Sequence, residues 1–177
     1  MNIGYLASGR NNDECYTPFY AVDPIIEYLP KDKIIWCPFD NAWSAFVQSL
    51  RFRGYTVIYS SINTGKDFFN YEPDEWDIIV SNPPFSKKDK VLKRVYELGK
   101  PFALLLPLQA LQSKKRFEYL SQGCQLLCFD KRIDYHINGN LESTHKGNHF
   151  ASAYFCRDLL PKDLIFKKLK KYTQRLL

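Results

Sequence analysis

Short apolar runs alternate along the chain with segments in which apolar residues recur at helical spacing. The runs are rich in Ile, Val, Leu and aromatic residues, and they predict strands at 33–36, 55–59, 78–80, 102–106, 125–129 and 149–155. The helical spacing predicts helices at 23–29, 43–50, 87–98 and 113–120. Asp23 followed by Pro24 is typical of a helix start, and Gly54 and Gly99 are typical of helix ends.

This alternation predicts an α/β fold with a largely parallel sheet and helices on both of its faces. No linker or internal repeat divides the 177 residues. We therefore expect a single domain over 1–177 that begins with a loose, polar lead-in over 1–12.

The last segment of the chain, 157–177, is strongly basic. It has seven basic and two acidic residues, in a chain whose net charge is +6. Pro161 can start a helix, and Ile165, Leu169 and Leu176 approximate an apolar stripe. The segment therefore predicts a basic amphipathic helix, which is either simply solvated or in contact with phosphates.

Composition excludes several classes of protein. Apolar residues make up 45% of the chain, no apolar stretch is long enough to cross a bilayer, and the first residues lack the features of a signal peptide. We therefore expect a cytoplasmic protein with no membrane partner. Five scattered cysteines do not indicate a disulfide framework. His136, His145 and His149 show no zinc-ligand spacing, so we predict no metal site.

The sequence around Asn82 is the most informative part of the chain. The β-branched run at 78–80 leads through Ser81 directly into Asn82-Pro83-Pro84-Phe85. The prolines end the strand because they cannot donate to a sheet ladder, and Pro83 keeps Asn82 out of the helical region. Open α/β sheets bind ligands at the carboxyl ends of their strands, so this corner is a candidate ligand site.

The chemistry of this corner suits an amine on a planar base. The Asn82 side-chain oxygen and the Pro83 carbonyl are acceptors for the two N–H donors of an exocyclic amine. Phe85 offers a face on which the base can stack. Three lysines that follow are either phosphate contacts near the base or the solvated face of the next helix: Lys87, Lys88 and Lys90.

Asn-Pro-Pro-Phe resembles motif IV of the adenine-N6 DNA methyltransferases, and nearly the whole chain resembles the small phage-type members of that family. Segments similar to the family's other motifs occur in one of its permuted orders. These are 16–18 (motif X), 36–40 (motif I), 67–68 (motif III) and 104–108 (motif VI). The resemblance implies a Rossmann-like methyltransferase fold, with a mostly parallel doubly wound sheet and an antiparallel C-terminal strand.

The resemblance also implies a cofactor and a set of site residues. The cofactor would be S-adenosylmethionine. The catalytic residues would be Asn82, Pro83, Pro84 and Phe85. The cofactor-binding residues would be Tyr16, Thr17, Pro18, Pro38, Phe39, Asp40, Asp67 and Phe68.

Two positions depart from the family pattern. Residues 41–44 contain no glycine where motif I has one or two, although Asn41 can replace glycine if it adopts the left-handed conformation. After the second strand, Ser60 and Ser61 stand where an acid normally binds the ribose hydroxyls. These departures leave open a variant set of cofactor contacts, a low affinity for the cofactor, or a protein without catalysis.

The expected activity is methyl transfer to the N6 amine of adenine in DNA, by extrusion of the base and direct displacement. Two alternatives stay open: the same transfer to RNA such as tRNA, and a catalytically impaired nucleic-acid-binding module. No segment is left over for a separate target-recognition domain. Recognition would fall to the loop at 130–148, the basic tail or the second subunit of a homodimer.

Overall fold

The structure, a computed structural model, describes residues 15–137 and 150–172. The strands are β1 (Cys15–Tyr16), β2 (Ile34–Cys37), β3 (Thr56–Tyr59), β4 (Ile78–Ser81), β5 (Phe102–Pro107), β6 (Gln125–Phe129), β7 (His136–Ile137), β8 (Ser152–Arg157) and β9 (Leu164–Lys167). The helices are α1 (Phe19–Ile26), α2 (Ala45–Phe52), α3 (Lys88–Leu98) and α4 (Lys114–Leu120). The predicted lead-in at 1–12 and most of the loop at 130–148 lie outside the described residues.

Seven strands form one mixed sheet in the order β3-β2-β4-β5-β8-β6-β9. β8 runs antiparallel to both of its neighbours, β5 and β6, and the other pairings are parallel. The predicted α/β class with a mostly parallel sheet is therefore confirmed. Within the described residues, no helix combines the length and the apolar character needed to span a membrane.

The order of the strands reverses at β2. The chain passes from β2 through α2 to β3 on one side, and β4 then pairs on the other side of β2 and continues through α3 to β5. Because parallel crossovers are right-handed, these two opposite steps put α2 and α3 on opposite faces of the sheet. α1 packs beside α2, and α4 packs beside α3.

The core is centred on β4 and β5, where every residue is buried. Their continuous apolar runs have this pattern because helices cover both faces of the sheet. Trp36 and Trp76 are also buried, whereas Trp43 is 42% exposed and precedes α2.

The prediction of a helix over 157–177 is wrong for the described part of that segment. Leu164–Lys167 forms β9, a parallel edge strand beside β6. Ile165 packs against the core on one side, whereas Leu164 and Phe166 are exposed on the other. Alternation of buried and exposed side chains is typical of a strand. Pairing with β6 also gives hydrogen-bond partners to the backbone N–H and C=O groups along one edge of the segment.

The predicted start of the first helix is also wrong. α1 begins at Phe19, so Pro24 lies inside the helix and not at its first position. Tyr20, Ala21 and Val22 are buried in the earlier turn. We infer that their burial outweighs the roughly 3 kcal/mol that an interior proline costs.

A second, two-stranded sheet is formed by β1 and β7, and we call it the ribbon. Cys15 pairs with Ile137, and Tyr16 pairs with His136, in antiparallel register. No local pattern in the sequence predicts this pairing, because the partners are far apart along the chain. The ribbon brings the Cys15 backbone against the Asn82 side chain.

Candidate functional site

The carboxyl ends of β2 and β4 border a cleft at the point where the strand order reverses. This is the position at which open α/β sheets bind ligands. The cleft has a volume of about 850 Å³ when the solvent space at its open mouth is counted. One wall is the asparagine corner, residues 82–85. The opposite wall, which we call the far wall, consists of Pro38, Phe39, Asn41, Ser61, Ile62, Asn63, Asp67, Phe68 and Phe69.

The Asn82 side chain is held in one orientation by the ribbon. Its Nδ2 donates a hydrogen bond of 2.8 Å to the Cys15 carbonyl. A carbonyl accepts only from the NH₂ end of a carboxamide, so this bond decides which way the amide points. Asn82 Oδ1 is buried and has no hydrogen-bond partner among residues 15–137 and 150–172. The corner therefore keeps one unused acceptor beside the cleft.

Phe85 is packed more tightly than the sequence led us to expect. The ring is 3% exposed and lies edge-to-face with Tyr135 at 6.0 Å and with Phe150 at 5.5 Å between ring centroids. We predicted a face open to a stacked base. With so little exposed surface, the ring can take a base over its face only if the residues around it move.

The far wall combines aromatic rings with short polar side chains. Phe39 and Phe68 lie with ring centroids 4.9 Å apart. The Asp67 carboxylate accepts from the Phe69 backbone N–H at 3.1 Å, which fixes the turn that carries these rings. Ser61 donates through Oγ to Asn41 Oδ1 at 3.0 Å, so the loops that follow β2 and β3 are tied together.

The structure brings together most of the residues that we predicted for the site. All four predicted catalytic residues line the cleft, and so do Tyr16, Pro38, Phe39, Asp67 and Phe68. Three predicted cofactor contacts do not: Thr17, Pro18 and Asp40. Thr17 and Pro18 lie in the short connection that leads into α1.

Asp40 faces the interior and not the cleft. Its side chain is 6% exposed and accepts hydrogen bonds from the hydroxyls of Ser81 and Ser44. Burial raises the pKa of Asp40 to about 6, although both hydroxyl contacts lower it. In this arrangement Asp40 does not line the cleft, because its oxygens are directed at the two serines; its contact with a cofactor stays a prediction.

The three lysines after the corner differ in position. Lys87 lines the cleft, with Nζ 5.9 Å from the centroid of Phe69. Lys88 donates to the Phe85 carbonyl at 3.2 Å, so it stabilises the corner itself. Lys90 is exposed on α3. Lys87 and Lys90 are both exposed, so both interpretations that we left open, a phosphate contact and a solvated face, stay predictions.

Sequence reasoning missed several residues of the cleft. Ile62 and Asn63 directly follow the strand β3, so the rule that ligands bind at carboxyl ends could have identified them. No sequence pattern indicated that Cys15 is part of the site, because the pairing of the ribbon brings it there. Asn41 does not take the left-handed conformation that would let it replace glycine: among the described non-glycine residues, Asp158 alone has a positive φ.

Within residues 15–137 and 150–172, no group of three or more His, Cys, Asp or Glu side chains is arranged to hold a metal ion. His145 and His149 lie outside these ranges. Comparison of the chain with protein-family models and with curated proteins gives no match.

Proposed function

We propose that this protein transfers a methyl group from S-adenosylmethionine to the N6 amine of adenine in DNA. The observation that carries the proposal is the Asn82 carboxamide, whose Nδ2 is held by Cys15 while Oδ1 has no partner in the described part of the chain. A buried acceptor without a partner costs about 1–3 kcal/mol. A ligand amine that donates to Oδ1 would remove this cost.

The residues of the corner would activate the amine by holding it. Asn82 Oδ1 and the Pro83 carbonyl accept the two N–H groups, which directs the nitrogen lone pair away from the ring of the base. Because Pro83 and Pro84 restrict the backbone here, the acceptors are positioned before the substrate binds. S-adenosylmethionine supplies the electrophilic methyl group when it is bound.

The residues of the far wall fit the nucleoside part of this cofactor. Phe39 and Phe68 provide apolar surface for an adenine ring, and Asp67 is an acceptor for its amine. Ser61 and Asn41 are hydrogen-bonding partners for ribose hydroxyls, in place of the acid that the family pattern has. These neutral groups would bind ribose more weakly than a carboxylate does.

The topology supports the finer fold assignment that belongs to this proposal. The sheet is doubly wound, and its single antiparallel strand, β8, is close to the C-terminal end of the described chain. Both features agree with the Rossmann-like methyltransferase fold. The cleft lies where that fold would place its cofactor, at the ends of β2 and β4.

A second candidate is a nucleic-acid-binding module that has lost catalysis. It is favoured by the 3% exposure of Phe85, the burial of Asn82 Oδ1 and the inward position of Asp40. All three reduce the surface that the site offers to a base or a cofactor. In this candidate the cleft would bind neither.

The test is transfer of tritiated methyl groups from S-adenosylmethionine to duplex DNA, single-stranded DNA and RNA. We expect label in DNA, loss of label with Asn82→Ala, and normal label with Asn70→Ala, which changes an exposed asparagine outside the cleft. Label in RNA alone would move the proposal to the RNA substrate. No label, together with no heat on calorimetric titration with S-adenosylmethionine, would favour the binding module.

A further inference from the structure

A buried carboxylate lies between the two walls of the cleft without touching it. Asp40 follows β2 at the site where the strand order reverses, and it is 6% exposed. Its backbone N–H donates to the Ser60 carbonyl at 3.2 Å, so the main chain is fixed as well as the side chain. Burying a carboxylate is costly unless it gains hydrogen bonds, and Asp40 gains them from two hydroxyls.

Each of these hydroxyls is linked to a different wall of the cleft. Ser81, which donates to Asp40 Oδ2, is the last residue of β4 and directly precedes Asn82. Ser44 donates to Asp40 and accepts the Asn41 backbone N–H at 2.9 Å. Asn41 lines the far wall and accepts from Ser61. One carboxylate thus connects the asparagine corner with the far wall.

We propose that Asp40 is a positioning residue that sets the separation of the asparagine corner and the far wall through Ser81 and Ser44. This inference rests on the proposed function, because it takes Asn82 as the residue that holds the substrate amine. Asp40 itself touches neither substrate nor cofactor. Its ionised form has lone pairs for both hydroxyls, whereas protonation converts one oxygen into a donor and weakens the bridge.

The titratable groups that act on Asp40 do not change charge in the same pH range. Within residues 15–137 and 150–172 they are the Cys37 thiol on β2 and the Tyr154 phenol on β8. Burial raises the pKa of both groups well above their ordinary values, so both are neutral at pH 7. A change near pH 6 can therefore be assigned to Asp40, whose pKa burial raises to about 6.

The first arm of the test measures kcat and KM for methyl transfer between pH 5 and pH 8 in wild type, Asp40→Asn and Ser81→Ala. We expect wild-type kcat to fall as the pH drops below about 6. Asp40→Asn should lower kcat about 10-fold at pH 8, with little change in KM, because a misplaced asparagine corner affects the reacting geometry more than binding. In this variant kcat should no longer fall as the pH drops below about 6.

Ser81→Ala should lower kcat by the same factor, and the double variant should be no worse than either single variant. If Asp40 acted only in folding, the folded variants would have the kcat of wild type and the same dependence of kcat on pH. That result would overturn the proposal.

The second arm does not depend on catalysis. Nuclear magnetic resonance of the Asn82 side-chain amide should show a shift with a midpoint near pH 6 in wild type and none in Asp40→Asn. If methyl transfer is absent but this titration is present, the proposed function fails while the coupling of Asp40 to the corner stands. If the Asn82 amide does not titrate in wild type, the coupling is refuted whatever the activity.

Discussion

The two walls of the cleft differ in how they are held. The asparagine corner is buried or half-buried and is supported from distant parts of the chain, by Cys15 on one side and by Tyr135 and Phe150 on the other. The far wall is supported by local turns and is partly open, with Ile62 64% exposed. The geometry of the corner is therefore set by the tertiary fold, whereas the far wall depends on its own loops. Changes in the corner should affect stability or chemistry, and changes in the far wall should mainly affect binding.

The largest expected effect is the loss of stability in Phe85→Ala. Truncating a buried phenylalanine leaves a cavity between Tyr135 and Phe150, which should lower the free energy of unfolding by about 3–5 kcal/mol. Urea denaturation measures the change. Phe52→Ala is the matched control, because that ring is 89% exposed and its removal should cost little. Equal stabilities of the two variants would show that the corner is not packed as described.

The next effect is the pH dependence of stability that Asp40 contributes. The pKa of Asp40 is about 6 in the folded protein and 3.8 ordinarily. Between pH 3.8 and pH 6 the folded protein therefore keeps a proton on Asp40 that the unfolded chain has lost. The free energy of unfolding should therefore fall by about 3 kcal/mol as the pH rises from 4 to 7, relative to Asp40→Asn. Denaturant titrations of both proteins at several pH values check this sign. Parallel pH curves for the two proteins would contradict it.

A large catalytic change with only a small loss of stability is expected for Asn82→Ala. Among the described residues Oδ1 has no partner and Nδ2 has a single hydrogen bond, so the loss of stability should be about 1 kcal/mol. Methyl transfer should fall about 100-fold or more, because the acceptor that positions the amine is removed. Initial rates compared with those of Asn70→Ala measure this effect. Wild-type turnover in Asn82→Ala would remove Asn82 from the mechanism.

The smallest effect is expected in the far wall. Phe39→Ala should weaken S-adenosylmethionine binding about 10-fold, in the range of a single base–aromatic contact, while the melting temperature changes less than in Phe85→Ala. Isothermal titration calorimetry gives the affinity, with Phe117→Ala, an exposed ring outside the cleft, as the control. If Phe39→Ala destabilised the protein as much as Phe85→Ala, the two walls would not differ as we describe.

The elements that the sequence predicted well have patterns confined to neighbouring residues. The apolar runs at β4 and β5 indicated strands covered on both faces, and both are buried throughout. Gly54 and Gly99 were predicted as helix ends, and each has a positive φ directly after a helix. In these cases the local pattern and the tertiary environment agree.

The features that the sequence did not predict depend on distant parts of the chain. Ile165 and Leu169 have helical spacing, but 164–167 forms a strand because it pairs with the edge of β6. The ribbon pairs Cys15 with Ile137, and no spacing rule covers such a separation. Asp40 occupies a motif position that points to a ligand, yet two serine hydroxyls from different elements take up its oxygens.

The most direct measurement is mass spectrometry of nucleosides from DNA that was incubated with the protein and S-adenosylmethionine carrying a deuterated methyl group. The account predicts deuterated N6-methyladenine with the wild-type protein and with Asn70→Ala, and a loss of about 100-fold with Asn82→Ala. No labelled adenine with the wild-type protein, or equal amounts with Asn82→Ala, would contradict it.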